Sequence, residues 1–192
     1  VFASSSSVYG LTPPPHREGG AIDPLNPYAL SKWVGERLLK YWVDAVHGDA
    51  ICLRYFNVYG PGEKEAGDYS TVIRRFRTLR LQGKPLTIYG DGEQRRDFTF
   101  VGDVARANVL ALSTPLPGHH IVNIGAGNNR SGNEVAALIG GPVVHLPGRP
   151  GEARETLADN GRAAYLLGWR PEASFEGSVK DLIRLDDHGV PS

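Results

Sequence analysis

Apolar residues recur at helical spacing after Pro27. Leu30, Val34, Leu38, Leu39, Trp42 and Val46 mark one face of a predicted helix over residues 27–47. Asn26 can cap its first turn, and Pro27 suits the first helical position, where its missing N–H costs nothing. Gly48 closes the run. The same period predicts helices over 70–82, 104–112, 132–139, 161–167 and 175–185. Ser131 with Glu134 forms an S-x-x-E capping box for one of them. Short apolar runs predict strands over 1–4, 50–56, 86–89, 98–101, 121–124 and 143–146. Strands alternating with helices predict an α/β fold with a parallel sheet. Two long connections rich in Gly and Pro, over 10–25 and 59–69, interrupt the alternation. Loops of that length in a compact domain are often functional.

Composition narrows the class. The chain has 192 residues, 41% hydrophobic and 22% charged, which suits one globular domain or two small ones. The 21 basic residues balance the 21 acidic ones and form no long run, so no nucleic-acid partner is expected. The stretch "RRFRTLRLQGK" interleaves its charges with apolar residues at helical spacing and is expected to be a solvated helix face. No apolar stretch reaches membrane-spanning length and no signal peptide is visible at the start. Cys52, the single cysteine, lies in the apolar run "AICLRYF" and is expected to fill core space, so a disulfide framework is excluded. A cytoplasmic setting is the expectation. His119 and His120 have no Asp, Glu or Cys cluster beside them, so a loop pair before a strand is expected rather than a metal site. Methionine is absent, and the chain opens on "VFASSSSVYG", whose first residues read as a buried strand. The expectation is the C-terminal part of something longer.

Candidate chemistry begins in "NPYALSK", where Tyr28 and Lys32 are four apart and share a helix face. An ammonium near a phenol favours the phenolate, and a phenol so tuned can exchange a proton with a substrate hydroxyl near neutral pH. Taken alone, the pair is better explained as part of an ordinary amphipathic helix, since many helices contain Y-x-x-x-K. In "FASSSSVYG" a short apolar strand turns polar at its end. Chemistry in open α/β sheets sits outside the carboxyl ends of the strands, so a serine there could bond the same hydroxyl. Taken alone, a serine-rich turn explains it better. Ser5 as an acyl-transfer nucleophile would need a His base and a G-x-S-x-G elbow, and neither is present.

The ordered set is more specific than any member. The serine run, Y-x-x-x-K, "RYFNVYGP" and "IYGDGEQRRDFTFVGDVARA" follow one another along the chain. From Val1 to about Leu185 the sequence resembles the C-terminal portion of an extended short-chain dehydrogenase/reductase, of the UDP-glucose and UDP-N-acetylglucosamine 4-epimerase type. The resemblance implies an α/β fold: the C-terminal part of a Rossmann-like parallel sheet plus a smaller substrate-binding domain. Residues 1–60 would belong to the NAD-binding domain. Residues 61–192 would form mainly the sugar-nucleotide domain, with elements returning to the first.

The resemblance also implies roles. Ser5, Tyr28 and Lys32 would be the catalytic triad, with Tyr28 as acid/base on the sugar 4-hydroxyl and Lys32 on the nicotinamide ribose. Tyr55 would contact the nicotinamide end of NAD. Asn57 would meet the diphosphate, Thr71 and Val72 would line the nucleotide site, Tyr89 would lie against the uracil, and Arg96 would pair with the diphosphate. Arginine suits that task because its bonds to phosphate are charge-assisted and directional. In "RPGE", Arg149 would meet phosphate and Glu152 the uridine ribose. Thr156, four residues after Glu152, would border the sugar pocket, and its small side chain would admit N-acetylated sugars. Ser6 and Ser7 stand where related dehydratases carry Asp-Glu, so the implied reaction is reversible oxidation at C4. That means 4-epimerisation, with 4-keto-sugar reduction or a non-catalytic sugar-nucleotide-binding fragment as alternatives. NAD is the implied cofactor, a UDP-sugar the implied partner and a homodimer the implied state of the complete enzyme.

The family's Gly-rich NAD turn, which brings backbone amides to the pyrophosphate, has no counterpart in this sequence. "GAGNNRSG" is expected to be a decoy, because Arg130 stands where the third glycine is required.

Overall fold

The structure is a computed structural model that describes residues 1–63, 70–148, 151 and 153–188. In chain order its elements are β1 (Phe2–Ser5), α1 (Pro27–Val46), β2 (Ala50–Tyr55), β3 (Val58–Tyr59), α2 (Val72–Leu81), β4 (Leu86–Tyr89), β5 (Arg95–Asp97), β6 (Thr99–Phe100), α3 (Val101–Ser113), β7 (His119–Ile124), β8 (Asn129–Ser131), α4 (Gly132–Ile139), β9 (Val143–Leu146), α5 (Gly161–Leu167) and α6 (Phe175–Asp187). A one-turn 3-10 helix, Ser6–Tyr9, follows β1 directly.

β1, β2 and β7 form a parallel sheet in that order, with Phe2 opposite Cys52 and Cys52 opposite Ile121. The expected parallel α/β arrangement is present, and β7 rejoins the first sheet after the intervening elements. Its lower layer is apolar: Leu53, Val122 and Ile124 pack on Val104, Ala107, Ala163, Leu167 and Trp169. A second cluster joins α2, β4, α4 and α6 through Ile73, Phe76, Leu86, Ile88, Val135, Ile139, Val179 and Leu182. There β4 pairs parallel with β9, while β5 and β8 pair antiparallel nearby. Cys52 is fully buried, as core filling requires.

Local signals explain several element bounds. The Asn26 side chain accepts the Ala29 N–H and Pro27 opens α1. Both halves of the Ser131–Glu134 capping box form. The apolar stripe of α1 lies largely at the surface: Leu30, Val34, Leu38, Trp42 and Val46 are each at least 40% exposed, while Ala29, Glu36 and Val43 are buried. Three expectations need correction. The expected strand over 98–101 is cut short, because Val101 already begins α3. Asp103 is drawn inward there by the backbone N–H groups of Glu172 and Ala173. His119 and His120 are the first residues of β7, paired with Ala50 and Ile51, and not a loop. Finally, α2 is not a solvated face. Arg74 and Arg77 are buried, and Arg77 makes a forked ion pair with Asp186 of α6, Nε to Oδ2 at 2.7 Å and Nη2 to Oδ1 at 2.6 Å.

Candidate active site

A cavity of about 710 Å³ opens between the carboxyl ends of β1 and β2 and the layer formed by α2, β4 and β5. That volume falls within the range of about 300–1,000 Å³ typical of small-molecule sites. Ser4, Ser5, Ser6 and Ser7 form one wall with Tyr28 and Tyr55. Asn57, Thr71, Val72, Tyr89 and Arg96 line the rest, joined by Ser70, Arg75, Gln94 and Arg130. Eight predicted site residues thus meet in one space, although they come from separate elements.

The serine wall is set by its backbone. Ser5 caps the 3-10 turn: its Oγ accepts the Ser7 N–H at 3.1 Å and donates to Ser7 Oγ at 3.0 Å. Tyr28 stands in the first turn of α1, 47% exposed, and lines the cavity. Lys32 lies one turn further, outside the cavity wall. Its ammonium donates to the Ala3 carbonyl at 2.9 Å and sits 5.7 Å from the centre of the Tyr28 ring. Tyr55, which also packs on the β2 and β7 core, lines the cavity. Its hydroxyl donates to Asn108 Oδ1 at 2.9 Å, and burial pushes the phenol pKa up.

Asn57 is fixed from behind. Its Nδ2 donates to the Asp97 carbonyl at 2.9 Å and to Thr156 Oγ1 at 3.3 Å. Thr156 also accepts the Asp97 N–H at 3.1 Å, which holds it behind Asn57 and off the cavity wall, in contrast to the expected wall position. Arg149 and Glu152 lie outside the described residues.

Charge on the wall has one sign. Arg75, Arg96 and Arg130 line it, and no Asp or Glu does so among the described residues. The Arg75 guanidinium lies 5.1 Å from the centre of the Tyr89 ring, a cation–π distance, and donates to the Thr87 carbonyl. Arg130 is anchored on Glu176 at 2.8 Å. Such a wall favours an anion that accepts several directional bonds. Sequence reasoning missed Arg75, although it sits four residues from Thr71 and so on the same side of the chain. Arg130 carried no local signal, because β8 and its pairing with β5 are tertiary.

The glycine turn after β7 has another use. Asp97 is fully buried, and its carboxylate accepts the backbone N–H groups of Ala126 (2.7 Å), Gly127 (3.0 Å) and Ala158 (2.9 Å). A Cβ on Gly125 would fall 2.3 Å from that of Ala158, so the turn must pass at closest approach. Burial pushes the Asp97 carboxyl up to about 6, against the opposing pull of those three donors. The amides that a phosphate would need are thus held by a carboxylate, in accord with the decoy expected for this segment.

Comparison with known proteins fits this geometry. The chain is 40% identical over 199 aligned residues to UDP-glucuronate 4-epimerase of Thermodesulfobacterium geofontis, covering 99% of this chain and 59% of that protein. It superimposes on UDP-N-acetylglucosamine 4-epimerase from Methanobrevibacter ruminantium, solved in complex with UDP-N-acetylmuramic acid, with a TM-score of 0.91 at 33% identity over 98% of this chain and 62% of that one. UDP-glucuronic acid 4-epimerase from Bacillus cereus, solved with UDP-glucuronic acid and NAD, gives 0.86 at 33% identity over 95% of this chain and 60% of that one. The chain therefore spans about three fifths of the length of these relatives. Residues 1–125, which carry the serine wall, Tyr28, Lys32, Asn57 and Arg96, match the NAD dependent epimerase/dehydratase family, and the chain belongs to that family.

Proposed function

We propose that this chain supplies the acid/base residues and the sugar-nucleotide cavity of an NAD-dependent UDP-sugar 4-epimerase. The observation that carries this reading is the single cavity that brings Ser5 and Tyr28 together with Tyr89 and three arginines. A hydroxyl-rich end suits a hexose, a guanidinium-lined middle suits a diphosphate, and an aromatic ring suits a base.

Tyr28 would take the proton of the sugar 4-hydroxyl and return it, and Ser5 would hold that hydroxyl in place. Lys32 places a positive charge beside the Tyr28 ring. NAD, when bound, supplies reversible oxidation at C4. The residues present fit only part of that cofactor. Tyr28, Lys32 and the Tyr55 ring suit its nicotinamide end, whereas the amides of the turn at Ala126 and Gly127 are held by Asp97 and do not suit its pyrophosphate. Ser6 and Ser7 bring no carboxyl group to the wall, which supports exchange at C4 over dehydration or decarboxylation. Thr156 would influence sugar choice through Asn57, which it holds.

Calorimetric titration of the chain with UDP-glucuronate and UDP-glucose tests the cavity. The expected result is saturable binding, weakened about tenfold or more by Arg96→Ala, since a charge-assisted bond is worth about 1.5–3 kcal/mol. Absence of binding, or indifference to Arg96→Ala, would overturn the assignment.

A further inference from the structure

We propose that Glu36 is a positioning residue for Tyr28: its buried carboxylate sets where α1 lies against β1, and so where the Tyr28 phenol stands relative to Ser5. This rests on the acid/base reading of Tyr28. Tyr28, Lys32 and Glu36 follow one another at intervals of four and share a face of α1. Tyr28 opens on the cavity, Lys32 bonds the Ala3 carbonyl, and Glu36 goes to the interior, 1% exposed.

One carboxylate there gathers three elements. Glu36 Oε1 accepts from Ser4 Oγ at 2.5 Å and from Arg54 Nε at 2.8 Å, while Oε2 accepts from Arg54 Nη2 at 2.7 Å. Ser4 precedes Ser5 on β1, and Arg54 is the fifth residue of β2. Arg54 Nη1 goes on to the Tyr9 hydroxyl at 2.9 Å, and that hydroxyl donates to Asn123 Oδ1 of β7 at 2.7 Å. Tyr9 ends the 3-10 turn that Ser5 caps. Burial alone would disfavour the Arg54 charge, but the bonds to Glu36 and Tyr9 outweigh it and raise the guanidinium pKa above its ordinary value.

Most of the apolar stripe of α1 is exposed, and Ala29, Glu36 and Val43 are its buried residues. Close approach does occur at Gly35, where a Cβ would fall 2.5 Å from the Phe2 ring. The pinned stretch of α1, Lys32 to Glu36, therefore faces Phe2 to Ser4 of β1. Catalytic geometry is sensitive to such placement: a shift of about 1 Å can cost on the order of a hundredfold in rate. The arginines and Tyr89 stand on other elements, so ligand binding should not share the loss.

The test uses Glu36→Gln, which keeps the shape but leaves one acceptor oxygen for three donors, and Ser4→Ala, which removes a single bond. In a protein of full family length, kcat for C4 epimerisation should fall on the order of a hundredfold in Glu36→Gln, with UDP-sugar affinity by calorimetry held within about twofold, and about tenfold in Ser4→Ala. In the present chain, amide hydrogen exchange over 27–34 should quicken about tenfold or more in Glu36→Gln while 86–89 and 143–146 keep their protection. Unchanged kcat in both variants overturns the proposal, as does unchanged exchange over α1. So does a parallel loss of kcat and UDP-sugar affinity in Glu36→Gln, which marks a general structural role. An error in the underlying acid/base reading shows separately, as near-normal turnover in Tyr28→Phe.

Discussion

Replacing Asp97 with asparagine pits two opposed forces against each other and reads out which one wins. The carboxylate accepts three backbone N–H groups, which favour its charge, yet it is fully buried, which opposes it. Burial is the larger effect, and the carboxyl is pushed from 3.8 up to about 6. A carboxyl raised on folding contributes stability that is fully present below its unfolded pKa and is lost as pH rises through its folded pKa. The window is therefore pH 3.8 to about 6. At 1.36 kcal/mol per unit, the loss across it is about 3 kcal/mol. The amide introduced by Asp97→Asn does not titrate, so the variant lacks that slope. Below the window the amide should be the poorer residue, because its NH2 must face one of the three donors; an unmade bond at a buried donor costs about 1–3 kcal/mol. Near pH 7 the wild type has lost about 3 kcal/mol, and the variant should match or exceed it. Urea unfolding of both proteins at pH 4, 5, 6 and 7, with equal m-values, measures the difference directly. Other carboxylates titrate in both proteins and cancel. A difference that stays flat, or moves against the variant as pH rises, would show that the three amides outweigh burial.

Further outcomes follow from the same contacts. In a protein of full family length, Tyr28→Phe should lower kcat about 10²-fold or more and leave UDP-sugar affinity within about twofold, because the phenol acts on the transition state; paired kinetics and calorimetry check this. Arg77→Ala leaves the buried Asp186 carboxylate without its partner and should cost about 3–5 kcal/mol by urea unfolding. Thr156→Val removes the acceptor shared by Asn57 Nδ2 and the Asp97 N–H, and should cost about 1–3 kcal/mol in the same assay.

Much of the fold was legible because local chemistry marks it. Asn26–Pro27 and the Ser131–Glu134 box announce α1 and α4 where they occur, and the β-branched runs at Leu86–Tyr89 and Val143–Leu146 are strands as expected. Two- and three-residue strands such as β3, β5 and β8 carry too few residues for a period to show. The exposed stripe of α1 shows a deeper limit. Periodicity finds an apolar face, but which face packs depends on what lies opposite, and here a carboxylate faces Ser4 and Arg54. Buried charge is hidden from sequence for the same reason. Glu36 and Arg54 are 18 apart and Arg77 and Asp186 are 109 apart, far beyond the spacing at which helix neighbours can be read. Of the candidate site, the ordered motifs supply Ser5, Tyr28, Asn57, Tyr89 and Arg96, which share a cavity. The contacts of the Thr156 hydroxyl with Asn57 and the Asp97 N–H are tertiary and leave no mark on local spacing.

The proposed function turns on inversion at one carbon, C4 of the sugar. A protein of full family length carrying this chain, incubated with UDP-glucuronate, UDP-glucose or UDP-N-acetylglucosamine and followed by proton NMR, reports that event directly. The expected result is the C4 epimer of at least one of them, formed reversibly without net consumption of NAD and abolished by Tyr28→Phe. A 4-keto sugar reduced at the expense of added cofactor, or no change at C4 in any of the three despite UDP-sugar binding, would contradict it.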